Sequence, residues 1–320
     1  MSPFLVTRTL PEDATDAALR ADVLHGLTRT PKTLPPKWFY DAHGSELFEK
    51  ITELPEYYPT RAEREILVAR AAEIAEATGA RTLVELGSGS SDKTRHLLDA
   101  MPGLHTYVPV DVSESALTQA GQALIAERPS LDVHALIADF TGGLALPGTP
   151  GPRLVAFLGG TIGNLLPAER AAFLTSVRSL LSPGDALLLG TDLVKDESVL
   201  VAAYDDAAGV TAAFNKNVLT VVDRELGADF DPDEFTHVAR WDAEREWIEM
   251  RLRARSALTV KIPALDLAVD FAEGEEMRTE VSAKFREEGV RTELAAAGLD
   301  LTHWWTDPRG RFALSLSTAR

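Results

Sequence analysis

The sequence predicts an α/β protein in which a mostly parallel β-sheet carries helices on both faces and a smaller α+β part is inserted. Three observations lead to this prediction. Apolar, strand-like segments alternate with segments of helical periodicity between residues 82 and 190. The first strand runs into a glycine-rich turn, and the chain closes with a helix and two strands. Strands separated by helices are typical of parallel sheets, because each helix crosses back over the sheet.

The first strand, its turn and the next helix lie in Thr82–Leu98, with the sequence TLVELGSGSSDKTRHLL. The strand is expected to be buried, and the residues from Thr94 onward have helical spacing. Gly87 and Gly89 allow the backbone to approach a ligand, and the start of the helix offers unpaired N–H groups. A turn of this kind taken alone is more often an ordinary loop.

The other elements follow from the same patterns. Helices are expected at 11–29 and 61–78, and a further alternation is expected at strand 106–110, helix 114–126, strand 132–138, strand 153–158, helix 167–181 and strand 186–190. After Lys195 the pattern changes to helical residues at 196–217 and strand-like runs at 230–271 and 275–285. Residues 196–285 are therefore expected to be an insertion that packs with the N-terminal arm. A final helix at 287–297 and strands at 301–306 and 312–317 are expected to add an antiparallel edge to the first sheet.

Composition narrows the classes of ligand. The formal net charge of −17 disfavours nucleic acid and anionic membrane as partners, because both bind basic surfaces. A hydrophobic content of 45% with 25% charged residues is typical of a soluble protein with a substantial core. Small molecules are the expected ligands.

The absence of cysteine from the sequence excludes disulfides, thiolate zinc sites and a cysteine nucleophile. The seven histidines form no pair at metal-binding spacing, so no metal is predicted. The first residues lack the basic and apolar regions of a leader, and no apolar run reaches the ~20 residues that a membrane helix needs. A cytoplasmic protein is therefore expected.

Two acidic residues mark the ends of successive predicted strands. Asp111 stands where an acid can bind the two hydroxyls of a ribose, and Asp139, at the end of the next strand, can accept from an adenine amino group. A dinucleotide motif would need glycine where the chain has Asp92. The acidic Glu85 just before the turn also disfavours a pyrophosphate. The pattern favours an adenosine with a neutral or positive tail over NAD.

Several segments carry a more specific resemblance. ELGSGSSDKT, Asp111 and Asp139-Phe140 resemble class I S-adenosylmethionine-dependent methyltransferases. The chain is also similar, over nearly its whole length, to the L-histidine Nα-methyltransferases of ergothioneine biosynthesis, through LPPKWFYD, LPEYYPTR, FLGGTIGNL, GTDLVKD, AYDDAAGVTAAFNKN and THWWTDP.

This resemblance implies a Rossmann-like class I methyltransferase sheet formed by residues 60–195 and 286–320. It also implies a substrate-binding domain formed by residues 1–59 and 196–285. The implied cofactor is S-adenosyl-L-methionine, and the implied reaction is three successive methyl transfers to the α-amine of L-histidine, giving hercynine. A monomer is implied as well.

The resemblance also implies site residues. Those implied for the methyl donor are Tyr40, Gly87, Lys93, Asp111, Asp139 and Phe140. Those implied for histidine are Tyr57, Gly159, Asn164, Tyr204, Met250, Glu280 and Ser282. Glu280 and Ser282 stand at i and i+2 of a predicted strand, so both side chains can reach one imidazole ring.

Four of these substrate residues also have a simpler interpretation. Asn164 can be only a turn residue, Tyr204 and Met250 can be packing residues, and Glu280 can belong to a solvated face. At the level of function, three alternatives remain open. They are a methyltransferase for another amino acid or amine, an NAD(P)-dependent oxidoreductase, and a non-catalytic protein that binds adenosine.

Overall fold

The computed structural model describes residues 4–11, 13–89, 91–140 and 144–320. Within these ranges the chain forms two compact units. The first unit contains the described residues of 1–11, 59–194 and 285–320, and the second contains those of 12–58 and 195–284.

The strands are, in chain order, β1 Phe4–Arg8, β2 Thr82–Leu86, β3 Thr106–Asp111, β4 Asp132–Ile137, β5 Arg153–Phe157, β6 Ala186–Asp192, β7 Phe235–Asp242, β8 Trp247–Ala254, β9 Leu258–Ile262, β10 Leu267–Phe271, β11 Glu276–Ala283, β12 Leu299–Thr306 and β13 Phe312–Ala319. The α-helices are α1 Ala14–Leu27, α2 Ala42–Glu53, α3 Pro59–Thr78, α4 Arg95–Ala100, α5 Glu114–Glu127, α6 Pro167–Leu180, α7 Glu197–Tyr204, α8 Val210–Leu226 and α9 Glu287–Ala296.

The first unit is built on an eight-stranded sheet with the order β1-β4-β3-β2-β5-β6-β13-β12. The first six strands are parallel, β13 is antiparallel to β6, and β12 is antiparallel to β13. The predicted parallel sheet with a terminal antiparallel edge is thus confirmed. After β2 the chain adds β3 and β4 on one side of that strand, and it then adds β5 and β6 on the other side. The crevice at the carboxyl ends of β2 and β5 is therefore the switch point at which such sheets bind ligands.

The centre of this sheet is buried on both faces. All residues of β2 and β6 are buried, as expected for strands covered on both faces. Tyr107, Phe157 and Phe312 are among the largest side chains that are completely buried. This packing fixes the ends of β2 and β5, from which the candidate site projects.

Strand β1 is absent from the sequence-based expectation. It pairs with β4, with Phe4 opposite Val133, at the edge of the large sheet. The sequence analysis places these residues with the substrate-binding part. Four of the five residues of β1 are exposed, so no apolar pattern marks the strand.

The second unit contains a three-stranded antiparallel sheet of order β11-β8-β7, a separate β9-β10 pair, and helices α1, α2, α7 and α8. Helix α2 is also absent from the sequence-based expectation. It begins after Asp41, whose carboxylate accepts the N–H of Gly44 at 2.8 Å. The predicted helix 196–217 is interrupted before Val210, where Asp206 accepts the N–H groups of Val210 and Thr211.

No helix in the described part of the chain is long and apolar enough to span a membrane.

Candidate functional site

The glycine turn of the first unit lies at the switch point of the sheet. Gly87 and Gly89 adopt left-handed φ values of 68° and 50°, which glycine tolerates without strain. The N–H of Gly87 donates to the carbonyl of Val110 at 2.8 Å, which ties the turn to β3. Ser88 Oγ is buried and has no hydrogen-bond partner among the described residues, so it is available to a ligand. Ser90, in the middle of the predicted turn, lies outside the described residues.

Asp111, at the end of β3, closes the turn from the other side. Its two carboxylate oxygens accept the N–H of Gly89 at 3.1 Å and the N–H of Ser113 at 3.0 Å. Each oxygen has further acceptor capacity, because an ionised carboxylate offers about four lone-pair positions. Asp111 is half-buried and can therefore both order the turn and accept hydroxyl protons from a ligand.

Phe140 lies beside the same turn, directly after the half-buried Asp139. Its ring packs edge-on against Phe157 and Phe173, with centroid distances of 5.3 and 6.2 Å. A side chain at Gly87 would contact the Phe140 ring at 3.5 Å. The structure therefore brings together the glycine turn and an aromatic face, which is suited to a flat ligand such as adenine.

Lys93 is held by a residue that the sequence analysis does not identify. Its ammonium forms an ion pair with Glu63, a completely buried residue of α3. The other oxygen of this carboxylate accepts the N–H of Gly159 at 2.7 Å. Glu63 thus connects the glycine turn after β2 with the loop after β5. An acid among the apolar residues Ala62, Ile66 and Leu67 is the signal that identifies it in the sequence.

Glu85 does not have the role that the sequence analysis gives it. The residue is 4% exposed, and its carboxylate accepts from Thr94 Oγ1 at 2.6 Å and from the Tyr107 hydroxyl. Burial raises the pKa of Glu85 to about 7, although the bonds from Thr94 and Tyr107 lower it. The side chain is thus directed into the protein and bound there, so it is not placed to repel a pyrophosphate at the turn.

Two residues predicted to bind substrate, Gly159 and Asn164, also lie in the first unit. Gly159 has a φ of 79°, and Asn164 ends a single 3-10 turn, Thr161–Asn164. Lys93 Nζ lies 3.7 Å from the position that a side chain on Gly159 would take. The predicted donor residue Lys93 and the predicted substrate residue Gly159 are therefore close neighbours.

The second unit brings together two predicted substrate residues, Tyr204 of α7 and Ser282 of β11. The Tyr204 hydroxyl donates to Ser282 Oγ at 2.8 Å. Lys284, which is 4% exposed, donates to both hydroxyls, at 2.9 Å to Tyr204 and 2.7 Å to Ser282. The sequence analysis does not identify Lys284, although it follows Glu280 and Ser282 at the same two-residue spacing.

Glu280 and Met250 are cross-strand partners on β11 and β8. Met250 is 2% exposed and belongs to the apolar core of the second unit, together with Ile248 and Leu252. The pairing of β11 with β8 shifts by one residue at Thr279, whose hydroxyl donates to the Met250 carbonyl at 3.0 Å. This irregularity lies next to Glu280 and is a feature that sequence alternation does not reveal.

The predicted residues Tyr40 and Tyr57 both contact Phe48 of α2, at ring-centroid distances of 5.5 and 6.1 Å. Tyr40 also contacts Phe214 at 5.3 Å. The pKa of the Tyr40 phenol is raised, first because the surrounding protein disfavours the phenolate and second because Glu280 lies nearby. Half of the Tyr40 surface nevertheless stays exposed. Tyr40, predicted to contact the donor, thus belongs to the same unit as Glu280 and Ser282, the pair predicted to bind the imidazole.

The predicted site residues divide between the two units. The first unit contains Gly87, Lys93, Asp111, Asp139, Phe140, Gly159 and Asn164. The second unit contains Tyr40, Tyr57, Tyr204, Met250, Glu280 and Ser282. No group of three or more histidine or acidic side chains within the described ranges is arranged to hold a metal ion.

Comparisons with known proteins agree on one family. The family model for "Histidine-specific methyltransferase, SAM-dependent" matches residues 19–319. The histidine N-alpha-methyltransferase of Mycolicibacterium smegmatis is 61% identical over 311 residues, which cover 96% of this chain and 97% of that protein. The protein of the same name from Mycobacterium tuberculosis is 58% identical over 315 residues, with 98% of each chain covered.

A more distant relative is Ergothioneine biosynthesis protein 1 of Neurospora crassa. It is 32% identical over 209 residues, which cover 62% of this chain and 23% of that protein.

The family match and the sheet topology confirm the predicted fold class, a Rossmann-like class I sheet, and the predicted cofactor, S-adenosyl-L-methionine. The glycine turn, the free Ser88 hydroxyl, Asp111 and Phe140 fit such a ligand. The oxidoreductase alternative is therefore discarded. The chain belongs to the family of histidine-specific, S-adenosylmethionine-dependent methyltransferases.

Proposed function

We propose that this protein transfers methyl groups from S-adenosylmethionine to the α-amine of L-histidine, in three successive rounds that end at hercynine. The observation that carries the proposal is the near full-length identity of 61% to a histidine N-alpha-methyltransferase. The lower-identity relative named for ergothioneine biosynthesis supports a place at the first step of that pathway.

The first unit would hold the methyl donor. S-adenosylmethionine supplies a methyl group on a positively charged sulfonium. Asp111 would accept the ribose hydroxyls through the oxygen positions that Gly89 and Ser113 leave unused. Phe140 and Asp139 would contact the adenine, while Gly87 and Lys93 would border the methionine part. We assign Tyr40 of the second unit to the donor as well, from the family resemblance.

The second unit would hold most of the histidine. Glu280 would accept a ring N–H and Ser282 would contact the other ring nitrogen, which matches the donor and acceptor of imidazole. Tyr57 and Met250 would border the ring. Tyr204, Asn164 and Gly159 are assigned to the amino-acid end of histidine from the family resemblance. The substrate-binding domain is accordingly proposed as residues 12–58 and 195–284, and the donor-binding domain as 1–11, 59–194 and 285–320, because β1 pairs with β4 and not with the substrate part.

The chemistry needs alignment more than activation. The amine must present its lone pair along the methyl–sulfur axis, and a well-oriented pair of reactants gains most of its rate from this positioning. No covalent intermediate with the protein is required. Between rounds the alkylated ammonium must lose a proton and turn. A pocket that fixes the imidazole and the carboxylate leaves the amine free to do both.

The proposal is tested by mass spectrometry of reactions containing the protein, S-adenosylmethionine and one of a panel of amino acids. We expect mono-, di- and trimethylated histidine, with the trimethylated form accumulating. Absence of methylated histidine, or preference for another amino acid, would contradict the proposal. The oligomeric state, which we propose to be monomeric, is measured by light scattering on the same sample.

A variant pair links the activity to the imidazole. Glu280→Ala should weaken histidine binding by ~1–3 kcal/mol, because a hydrogen bond to a charged group is lost. Glu273→Ala, in the exposed turn before β11, removes an acid of the same type and should leave histidine binding unchanged. Equal losses of histidine affinity in both variants would show that Glu280 does not recognise the imidazole ring.

A further inference from the structure

The buried ammonium of Lys284 lies beside two residues assigned to substrate. Lys284 Nζ donates to Ser282 Oγ at 2.7 Å and to the Tyr204 hydroxyl at 2.9 Å, and it lies 4.7 Å from the centroid of the Tyr204 ring. A lysine that is 4% exposed is uncommon, because burying its charge costs free energy unless good partners are present. Its position next to Ser282 therefore calls for an explanation beyond packing.

The bonds to Ser282 fix the direction of its hydroxyl. Ser282 Oγ accepts from the Tyr204 hydroxyl at 2.8 Å and from Lys284. A hydroxyl has two acceptor lone pairs and one proton, so both lone pairs of Ser282 are occupied. No acceptor for the Ser282 proton is present in the part of the chain that the structure describes. Ser282 can therefore serve a ligand only as a donor.

A donor at Ser282 and a carboxylate at Glu280 select one form of imidazole. The neutral ring carries one N–H, for Glu280, and one bare nitrogen, for Ser282. The imidazolium carries two N–H groups. One of these N–H groups would point at the Ser282 proton, and the positive charge of the ring would lie near the ammonium of Lys284.

We propose that Lys284 is a specificity-determining positioning residue, which holds the Ser282 hydroxyl as a donor and thereby makes the site bind the neutral imidazole of histidine in a single tautomer. This inference rests on the proposed function, because it concerns the same substrate. Lys284 acts through Ser282, and it explains why a buried cation stands next to the ring of a substrate that can itself become a cation.

Other charged groups surround this cluster. The titratable or charged side chains on the neighbouring elements are Glu197, Tyr204 and Asp205 of α7 and its end, His237, Arg240 and Asp242 of β7, Glu249, Arg251 and Arg253 of β8, Glu276, Arg278 and Glu280 of β11, and Tyr40. His237 is the one whose ordinary range falls between pH 5.5 and 8. Burial lowers the pKa of His237, and its Nε2 donates to the Tyr204 carbonyl at 2.8 Å while Nδ1 accepts from Asn215. His237 therefore stays neutral over most of this interval.

The test is the pH dependence of histidine affinity, measured by calorimetry at pH 5.5 and pH 8. The α-amine of histidine stays protonated throughout this interval, so a change in Kd reports the protonation of the imidazole ring. For the unmodified protein we expect Kd to rise roughly fivefold to tenfold at pH 5.5, because free imidazole is then mostly protonated. In Lys284→Met, Ser282 can turn to accept from an imidazolium. The Kd of this variant for histidine at pH 8 should be higher than that of the unmodified protein. Its pH ratio, which is the Kd at pH 5.5 divided by the Kd at pH 8, should fall below about twofold.

Lys32→Met is the matched control. Lys32 is a buried lysine of the same unit, paired with Glu275, and its Nζ lies 4.8 Å from the Phe271 ring centroid. Its substitution should leave the pH ratio of the unmodified protein unchanged. An unchanged ratio in Lys284→Met, or the same change in both variants, would overturn the proposal.

A second measurement needs no variant. A histidine analogue with a 1,2,4-triazole ring keeps an N–H and bare nitrogens but is not protonated in this interval. Its affinity for the unmodified protein should vary less than about twofold between the two pH values. A pH ratio equal to that of histidine would overturn the role of Lys284. Failure of the proposed function is distinguishable, because histidine would then not be methylated at all.

Discussion

One carboxylate oxygen of Glu63 accepts the backbone N–H of Gly159 at 2.7 Å, while the other oxygen binds Lys93. Glu63 is completely buried in α3, so this carboxylate depends on these two partners for its stabilisation. The contact joins the loops that follow β2 and β5, on the two sides of the switch point. Glu63 therefore sets the relative position of two loops that supply predicted site residues.

Glu63→Gln should weaken binding of S-adenosylhomocysteine roughly tenfold, because Lys93 loses its ion-pair partner while Gly159 keeps an acceptor. The free energy of unfolding should fall on the order of 2–3 kcal/mol, because the ammonium of Lys93 stays partly buried without the carboxylate of Glu63. Calorimetry and urea unfolding measure the two effects. Glu73→Gln, on the same helix, is the control, because Glu73 accepts from Trp305 Nε1 at 3.0 Å and should affect stability without affecting the ligand.

The space for Glu63 is provided by Gly190 on β6. A side-chain carbon at this position would lie 2.4 Å from Glu63 Oε1 and 3.4 Å from the Leu158 backbone. Gly190→Ala should therefore cost about 1–3 kcal/mol of unfolding free energy and weaken ligand binding. Gly289→Ala, in α9 with no atom within 4 Å of the added carbon, should instead stabilise by about 0.5–1 kcal/mol. Similar unfolding midpoints for the two variants would refute this account of Gly190.

Asp111→Asn should reduce affinity for S-adenosylhomocysteine by roughly tenfold. The amide loses the negative charge and replaces one of the two oxygens that now accept from Gly89 and Ser113. Asp132→Asn removes an acid from the start of β4, at the end of the strands opposite to Asp111, and is expected to bind the ligand normally. Calorimetric titration of both variants checks this, and intact affinity in Asp111→Asn would exclude the ribose role.

Glu85 should make the protein less stable as pH rises. Its pKa is raised to about 7 in the folded protein from an ordinary value near 4.5, chiefly by burial. The folded state thus binds more protons than the unfolded state between these values. The stabilisation is complete below pH ~4.5 and is lost as pH rises through ~7, and it amounts to roughly 3 kcal/mol.

In Glu85→Gln this contribution is absent, so the variant should lose less stability than the unmodified protein between pH 5 and pH 8. Urea unfolding at each pH unit measures the difference between the two proteins. Parallel curves for both proteins would show that Glu85 does not titrate in this interval.

Long, regular elements could be predicted from sequence because their apolar period is set by burial within one segment. The strand Thr82–Leu86 and the helix from Glu114 are found where their patterns place them. Strand β1 could not be found in this way, because an edge strand with exposed side chains has no such period. Helix α2 does have such a period, because Gly44, Leu47 and Ile51 are buried at i, i+3 and i+7, but it lies in an aromatic-rich segment in which it was overlooked.

The fold class could be predicted from local order along the chain: a glycine turn after a buried strand and acids at strand ends. The family and the substrate residues, among them Glu280 two residues before Ser282, were predicted from resemblance to longer segments of sequence. Such features can be recognised from the sequence because each depends on residues that are neighbours in the chain.

The partners of these residues could be identified only in the folded protein. The tertiary structure directs Glu85 into the protein, pairs Lys93 with Glu63 across the switch point, and places Lys284 against Tyr204 and Ser282. These contacts join residues far apart in the chain, and hydrogen-bond direction depends on which lone pairs are already occupied. The sequence therefore identifies the polar groups of the candidate site, while the folded structure determines whether each group donates or accepts a hydrogen bond.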